Sequence, residues 1–319
     1  MKFLITGCAG FIGFSLAREL LKNKDNNIVG VDAISDYYPI SLKKKRLSIL
    51  KKKKNFKFFK KDLSKMNNVK SIFTKCKFDT IIHLAAQPGV RRSIKFPQEY
   101  YDANISSFFN ILECARKIKL NKIIFASSSS VYGDNKSFPL TESFERNPKN
   151  FYALSKCINE DMAKYYSRNF KMKIIGLRFF TVYGPFGRPD MLIWKICENI
   201  QNNKILKINN FGKHERDFTY IDDVVSMVKK ILIKKNLNKF EIFNICSNNP
   251  TKLSKILKIF AKEKKDKKNK FVRYQKFQTG DVIKTHGSNL KILKMIKEYK
   301  KTNIEEGIFK TFKWFKKNY

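Results

Sequence analysis

Two side chains in the middle of the chain have the types and spacing that proton transfer at a hydroxyl group requires. Tyr152 and Lys156, in the stretch FYALSK, are four residues apart, which places them one turn apart on one face of a helix. An ammonium group there favours the phenolate form of the tyrosine, so Tyr152 is predicted to act as a general base. The spacing also arises by chance in a chain with 13 tyrosines and 67 Lys and Arg residues, so the surrounding elements must support it.

A glycine motif near the start of the chain predicts a dinucleotide site. Gly7, Gly10 and Gly13 form GCAGFIG where a strand pattern gives way to a helix pattern, and glycine there lets the backbone approach a pyrophosphate. Asp32 follows nineteen residues after Gly13, at the end of the second predicted strand. Its carboxylate can bind the adenosine ribose hydroxyls and would repel a 2′-phosphate, so NAD is favoured over NADP.

Further cofactor contacts are expected where the next strands end. Asp62 ends the third strand region and is placed to reach the adenine, whereas the LAAQ stretch that begins at Leu84 lines the pyrophosphate channel. Ser127 is expected at a strand end near the nicotinamide, and Lys156 can also hold the nicotinamide ribose. The complete set of predicted cofactor contacts is Gly7, Gly10, Phe11, Ile12, Gly13, Asp32, Asp62, Leu63, Leu84, Ala85, Ala86, Ser127, Tyr152 and Lys156.

Short β-type runs alternate with helical stretches, which predicts an α/β fold with a doubly wound parallel sheet of the Rossmann type. The predicted strands are 2–6, 27–32, 56–59, 79–85, 122–127 and 173–178. The clearest predicted helices are 11–22, 98–118, 151–168 and about 191–201. Residues 1–178 are interpreted as the NAD-binding domain, to which about 215–246 return, and residues 179–319 as a smaller, interleaved substrate-binding domain.

Composition limits the classes of function. The net charge of +40 would suit a nucleic acid or an anionic membrane, but the lysines are spread along the chain without a base-reading motif, so no nucleic-acid partner is expected. No apolar run is long enough to span a membrane, and the N-terminus lacks a signal-peptide pattern, so a cytoplasmic location is expected. Six scattered cysteines and three dispersed histidines predict reduced thiols and no metal site.

The order of these parts resembles the extended short-chain dehydrogenase/reductase family of NAD-dependent epimerases and dehydratases. A glycine motif, a serine-rich strand end (ASSSSVYG) and Y-x-x-x-K follow one another, and the likeness covers nearly the whole chain. It implies that Ser128, three positions before the Val of V-Y-G, hydrogen-bonds the reacting sugar hydroxyl. Tyr152 would be the general base and Lys156 its electrostatic partner, with NAD tightly held and regenerated in each cycle.

Five stretches carry a more specific likeness within this family. They are DAISDYYPISLKKKRL (32–47), AAQPGVRRSI (85–94), ASSSSVYG (126–133), LRFFTVYGPFGRPDM (177–191) and KHERDFTYIDDV (213–224). In these stretches the sequence is similar to the UDP-glucuronate 4-epimerases, although Cys8 and Pro88 depart from the alanines usual in that group. The resemblance implies a 4-keto sugar intermediate, inversion at carbon 4 and a UDP-sugar substrate, and a homodimer built on helices near 98–118 and 151–168.

The same resemblance implies the substrate contacts. Arg188 of GRPDM would bind the sugar carboxylate, assisted by hydroxyl groups of Ser129 and Ser130, and Arg216 would contact the diphosphate. A carboxylate held in this way would be kept from leaving as CO₂ in the 4-keto state. The complete set of predicted substrate contacts is Ser129, Ser130, Arg91, Thr181, Arg188, Arg216, Gln278 and Asp281.

The serine run argues against two related activities, and two further alternatives remain open. Related 4,6-dehydratases and decarboxylases resemble T-D-E-V-Y-G and S-E-V-Y-G at the serine run, where this chain has Ser129 and Ser130 and therefore lacks the acid. UDP-glucose 4-epimerase is the nearest enzymatic alternative, in which Arg188 would have no carboxylate to bind. A basic NAD-binding scaffold or nucleic-acid binder is the non-enzymatic alternative, and it predicts that Tyr152 is dispensable.

Overall fold

The computed structural model describes residues 1–264, 271–276 and 283–319, and these form two compact units. The first unit combines 1–134, 142–179 and 228–243, and the second combines 135–141, 180–227 and the described part of 244–319. Each unit is therefore assembled from separate pieces of chain.

The described residues form twelve strands, numbered along the chain. They are β1 (Lys2–Thr6), β2 (Asn27–Asp32), β3 (Phe56–Lys60), β4 (Thr80–His83), β5 (Lys122–Ser128), β6 (Lys173–Phe179), β7 (Thr181–Tyr183), β8 (Leu206–Ile208), β9 (Glu215–Tyr220), β10 (Phe240–Ile245), β11 (Pro250–Lys252) and β12 (Val272–Tyr274). Seven of them form the sheet of the first unit, in the order β10-β6-β5-β4-β1-β2-β3. The five adjacent pairs from β6 to β3 are parallel. The doubly wound α/β class predicted from the sequence is confirmed.

The helices of the described residues are also numbered along the chain. They are α1 (Phe11–Leu20), α2 (Ile40–Lys51), α3 (Met66–Lys75), α4 (Val90–Lys95), α5 (Pro97–Tyr100), α6 (Ser107–Lys117), α7 (Phe151–Phe170), α8 (Leu192–Gln201), α9 (Ile221–Ile233), α10 (Leu253–Lys264), α11 (Leu290–Ile296) and α12 (Ile304–Asn318). Among the described residues, no helix combines the length and apolar character needed to cross a bilayer.

The central strands are apolar on both sides because helices cover both faces of the sheet. In β4 all four residues are buried, and β5 contains the buried run Ile123, Ile124 and Phe125. Phe108 of α6 stacks on Phe125 with ring centroids 4.8 Å apart. Burial of each such side chain stabilises the fold by roughly 1.5–3 kcal/mol, so this packing fixes α6 against the sheet.

Two predicted elements are divided differently in the structure. The strand expected over 79–85 ends at His83. Beyond it the backbone N–H of Leu84 is shared between the carbonyl and hydroxyl oxygens of Thr6, at 3.2 and 3.1 Å, and that of Ala85 donates to the hydroxyl at 3.1 Å. The helix expected over 98–118 consists of α5, a π-helical turn (Tyr101–Ser106) and α6. Single π-helical turns are frequent at functional sites, and this one carries a buried asparagine.

The second unit contains two smaller sheets. One has the order β11-β9-β7, with β9 antiparallel to β11 and parallel to β7, and the other pairs β12 with β8. Of the segment 215–246, β9 pairs within this unit, whereas β10 joins the seven-stranded sheet beside β6. Helix α9 spans both parts, since 221–227 belong to the second unit and 228–233 to the first.

Helix α7 begins with a side-chain cap. The Asn150 side chain accepts a hydrogen bond from the backbone N–H of Ala153 at 2.9 Å. Replacement of an N-cap residue by alanine leaves an N–H group of the first turn without its partner. We therefore expect Asn150→Ala to lower the free energy of unfolding by about 1 kcal/mol in urea titration. Asn150→Asp keeps the acceptor and should stay near wild type; equal stability of wild type and Asn150→Ala would contradict the assignment.

Candidate active site

The glycine loop between β1 and α1 is shaped for close approach to a ligand. Gly7 has a φ of +68°, and a side chain there would meet the backbone nitrogen of Ala85 at 2.7 Å. A Cβ atom at Gly13 would lie only 2.1 Å from the Gly7 carbonyl oxygen. Helix α1 starts at Phe11, directly after Gly10, so its N-terminal amides open from this loop. The loop is packed too closely for side chains at Gly7 and Gly13, and the N-terminal end of α1 provides the dipole that a pyrophosphate requires.

The carboxylate of Asp32 lies at the end of β2, almost fully buried beside the glycine loop. One of its oxygens accepts the backbone N–H of Ala9 at 3.0 Å, and the other accepts that of Ile34 at 2.8 Å. These bonds hold the carboxylate at the position expected for the ribose-binding acid of this fold.

A buried arginine that was not predicted from the sequence holds the same loop from within. Arg46 of α2 is fully buried and donates from Nη1 to the Ala9 carbonyl at 2.9 Å and to the Tyr38 hydroxyl at 2.7 Å. It lies in the lysine-rich run 43–54, where its apolar neighbours Leu47 and Leu50 were the available signal that this face of the helix is buried.

Five further predicted cofactor contacts lie at the carboxyl ends of β3 and β4, in the same unit. Asp62 is exposed and accepts the backbone N–H of Ser64, whereas Leu63 is buried. Asn110 of α6 donates to the carbonyls of both Leu63 and Ser64, each at 2.9 Å, and so fixes this loop. The backbone after β4 is partly exposed at Leu84, Ala85 and Ala86.

A neutral histidine lies beneath the sheet edge. The Thr6 hydroxyl accepts two backbone N–H groups and lies 2.9 Å from Nδ1 of His83, so its own proton points to that nitrogen. His83 therefore carries its proton on Nε2, for which the described residues supply no hydrogen-bond partner. Burial, together with the charge of Lys156, lowers the pKa of His83 to about 3. This side chain stays neutral at any pH near 7.

Tyr152 and Lys156 lie on successive turns of α7, as their spacing predicts. The Lys156 ammonium is buried, donates to the Ala126 carbonyl at 3.0 Å, and lies 5.9 Å from the centroid of the Tyr152 ring. Burial lowers the pKa of Lys156 to about 8, and the charge of Glu160 acts in the opposite direction. Tyr152 is partly exposed, and its ring meets that of Tyr100 edge-on at 6.2 Å.

The serine run changes from strand to turn within four residues. Ser128 ends β5, and its hydroxyl oxygen accepts the backbone N–H of Ser130 at 3.2 Å, which starts a 3-10 turn. Ser129 and Ser130 are partly exposed on that turn, which packs against α7. Ser127 points elsewhere: its hydroxyl donates to the Glu160 carboxylate at 2.6 Å. The structure therefore brings Ser128, Tyr152 and Lys156 to one edge of one unit.

Two further polar residues at this edge were not predicted from the sequence. Glu160 is buried one turn after Lys156, and Asn104 is buried in the π-helical turn. The Asn104 amide accepts the backbone N–H of Gln87 at 2.7 Å and donates to the Ser155 hydroxyl at 2.9 Å. A polar residue on the apolar stripe of a predicted helix was the signal for both.

The predicted substrate contacts are divided between the units. Arg91 is exposed on α4 of the first unit. Thr181 opens β7 and Arg216 lies on β9 in the second unit, where the guanidinium of Arg216 donates to the Ile283 carbonyl at 2.8 Å. Arg188 forms a two-bond pair with Asp190, from Nε at 3.0 Å and from Nη2 at 2.5 Å. Gln278 and Asp281 lie outside the residues that the structure describes.

The arrangement of the first unit suits oxidation and reduction at a hydroxyl-bearing carbon. Tyr152 is a partly exposed phenol beside the buried Lys156 ammonium, and the Ser128 hydroxyl lies at the same edge of the first unit. The glycine loop and Asp32 provide for a dinucleotide at the carboxyl ends of the same parallel strands. No acidic residue occupies the serine run at Ser129 or Ser130.

Comparison with known proteins agrees with this chemistry. A family model described as GDP-mannose 4,6 dehydratase matches residues 4–311. Protein CapI of Staphylococcus aureus is 39% identical, covering 100% of this chain and 99% of its own length. A UDP-glucuronate 4-epimerase of Thermodesulfobacterium geofontis is 37% identical, covering 99% and 96%. The crystal structure of UDP-glucuronic acid 4-epimerase from Bacillus cereus, in complex with UDP-glucuronic acid and NAD, has a TM-score of 0.93, 32% identity and full coverage of both chains.

The glycine loop predicts a graded loss of dinucleotide binding. In Gly13→Ala the new methyl group would displace the Gly7 carbonyl, whereas in Gly10→Ala it would meet the same oxygen at 3.0 Å and require a smaller adjustment. We expect Gly13→Ala to weaken NAD binding by tenfold or more, which is about 1.4 kcal/mol, and Gly10→Ala to weaken it less. Calorimetric titration with NAD would measure both. Wild-type affinity in Gly13→Ala, with an unchanged melting temperature, would disprove the role of the loop.

Proposed function

We propose that this chain is an NAD-dependent epimerase that converts UDP-glucuronate to UDP-galacturonate. The proposal starts from the family: the chain belongs to the GDP-mannose 4,6-dehydratase family of extended short-chain dehydrogenases/reductases. The observation that carries this proposal is the match, over the full length of both chains, to an epimerase crystallised with UDP-glucuronic acid and NAD. The serine run supports it, because the acid used by the related dehydratases and decarboxylases is absent there.

The residues fit the cofactor. Close backbone packing at Gly7 and Gly13 leaves no space for a side chain in the loop, and the buried Asp32 carboxylate is fixed at the end of β2. Gly7, Gly10 and Gly13 would hold the pyrophosphate, Asp32 the adenosine ribose, and Lys156 the nicotinamide ribose. NAD, when bound, supplies the hydride acceptor for oxidation of the sugar and the hydride donor for its reduction.

The catalytic residues act on the sugar hydroxyl. Tyr152 removes the proton from the 4-hydroxyl while Ser128 hydrogen-bonds the same oxygen, and Lys156 stabilises the phenolate form of Tyr152. The 4-keto sugar turns to present its other face, and Tyr152 returns the proton when the carbon is reduced. The configuration at carbon 4 is thereby inverted, and no net oxidation occurs.

The choice of a uronate over a neutral sugar depends on the carboxylate. Arg188 pairs with the Asp190 carboxylate through two donors, which is the geometry by which a guanidinium would also bind a uronate carboxylate. Ser129 and Ser130 would add hydroxyl donors to the sugar. UDP-glucose 4-epimerase activity is the alternative, and in it the proposed role of Arg188 disappears.

Pairing of two chains and a cytoplasmic location complete the proposal. The π-helical turn, α6 and α7 carry large apolar side chains on the surface of the first unit, which suits a face covered by a second copy. The exposed side chains on this face are Tyr101, Phe109, Leu154, Tyr165 and Phe170.

Turnover of the predicted substrate tests the function. Purified protein incubated with UDP-glucuronate should yield UDP-galacturonate, as measured by anion-exchange chromatography. Tyr152→Phe should lower the rate by about 10²- to 10⁴-fold while NAD stays bound, because only the proton transfer is lost. The control Tyr274→Phe changes an exposed tyrosine outside the catalytic residues and the proposed pairing face and should retain the rate. UDP-xylose as the product would indicate a decarboxylase, and turnover of UDP-glucose alone would favour the alternative epimerase.

The protonation state of Lys156 predicts how the activity depends on pH. Its pKa is lowered from the ordinary lysine value to about 8, chiefly by burial, so the ammonium is present below that pH and is lost as the pH rises through it. We expect kcat/KM to fall above about pH 8, where a lysine with its ordinary pKa would stay charged to about pH 10. The profile should be measured with stability controls at each pH. Constant activity up to pH 10 would contradict the role of the buried ammonium.

A further inference from the structure

Glu160 lies at the centre of a buried polar cluster behind the serine run, and no step of the proposed reaction yet uses it. Its side chain is 4% exposed. Oε1 accepts the Ser127 hydroxyl at 2.6 Å and Nε of Arg178 at 2.9 Å, and Oε2 accepts Nη2 of Arg178 at 2.7 Å. Arg146 adds a longer ion pair at 3.6 Å. Both oxygens of a buried carboxylate are therefore satisfied by partners on three different segments.

The position of Glu160 connects this cluster to the catalytic residues. Tyr152, Lys156 and Glu160 follow one another at intervals of four residues, so they share one face of α7. Lys156 binds the carbonyl of Ala126, and Glu160 binds the hydroxyl of the next residue, Ser127. Two successive residues of β5 are thereby tied to two successive turns of α7, immediately before Ser128.

We propose that Glu160 is a positioning residue of the epimerase, an inference that rests on the proposed function. Its carboxylate fixes the strand end that carries Ser128, and its negative charge keeps the buried Lys156 in the ammonium form. Arg178 holds the carboxylate in place through two donors and itself lies over the Tyr132 ring, 4.7 Å from the centroid. If Glu160 served only as a structural ion pair, Arg178 would be its only partner. Glu160 also lies on the same face of α7 as Lys156 and binds Ser127 at the end of β5.

The electrostatic part of this role agrees with the surroundings of Lys156. Burial is the main influence that lowers the pKa of Lys156, and Glu160 is the charge that raises it. His83, on the adjacent strand β4, is neutral and supplies no charge, and burial raises the pKa of Tyr100 so that it stays protonated. Titratable and charged groups on the other elements packed against α7 are Arg91, Arg92, Lys95, Glu99, Tyr101, Asp102, Glu113, Cys114, Arg116, Lys117, Lys122, Tyr132, Arg146, Lys173 and Arg178.

Glu160→Gln tests the charge while it keeps the size of the side chain. Loss of the negative charge should move the alkaline limb of the kcat/KM profile toward lower pH by about one unit or more. Asp161→Asn is the matched control: it removes the carboxylate at the next position of α7, which is 60% exposed and pairs with Arg146 at 2.7 Å, while it leaves the bonds of Glu160 to Ser127 and Arg178 in place. Its alkaline limb should coincide with that of wild type. Glu160→Asp, which restores the charge on a shorter side chain, should bring the limb back toward the wild-type position.

Two further measurements separate the proposal from a loss of folding and from a wrong function. Bound NAD and the melting temperature report the fold. If Glu160→Gln fails to fold, Glu160→Gln with Arg178→Met removes both charges of the pair, and a smaller shift in the same direction is expected because the lost cation offsets part of the effect. A folded variant, single or double, whose alkaline limb matches wild type would overturn the role of Glu160. If the wild type itself does not epimerise UDP-glucuronate, the proposed function fails before any variant is compared.

Discussion

An ammonium group inside a protein loses most of its hydration, and at Lys156 this loss is compensated by the Ala126 carbonyl and by the carboxylate one turn along the same helix. A buried cation is tolerated only where such partners are held rigidly. The strand end before Ser128, the first half of α7 and the Arg178 side chain are therefore arranged around one charge. Any change that loosens one of them alters the protonation of the lysine and the placement of the serine together.

Side chains continue the hydrogen bonding of the sheet where its strands end. The Thr6 hydroxyl takes the amides that follow β4, Asn110 takes the carbonyls that follow β3, and Asn104 takes the amide and carbonyl of Gln87. Buried backbone groups need partners, and beyond the last strand residue side chains supply many of them. The loops at this edge are therefore held in position by side chains, although they are not part of the sheet. Their backbone can then face a ligand.

The sequence alone predicted where those motifs lie whose placement depends only on neighbouring residues. GCAGFIG, Asp32 and the four-residue spacing of Tyr152 and Lys156 each depend on neighbours within one turn, one strand or one strand–helix unit, and the fold class follows from the alternation of elements. The partnerships that hold the site are distant in sequence. Thr6 and His83 are 77 residues apart, Asn104 and Ser155 are 51 apart, and Glu160 and Arg178 are 18 apart. No periodicity predicts such pairs, because tertiary packing creates them.

The interleaving of the two units affects how the protein must be made. The first unit needs 1–134, 142–179 and 228–243, and its edge strand β10 comes from the last of these pieces. A chain leaving the ribosome exposes β6 as an unpaired edge until residues 240–245 have emerged, and unpaired edges invite association with other chains. Residues 135–141 and 180–227 of the second unit have been synthesised by then. Co-translational folding of this protein is therefore a late event, and nascent chains that stop short of β10 are the ones expected to depend on chaperones.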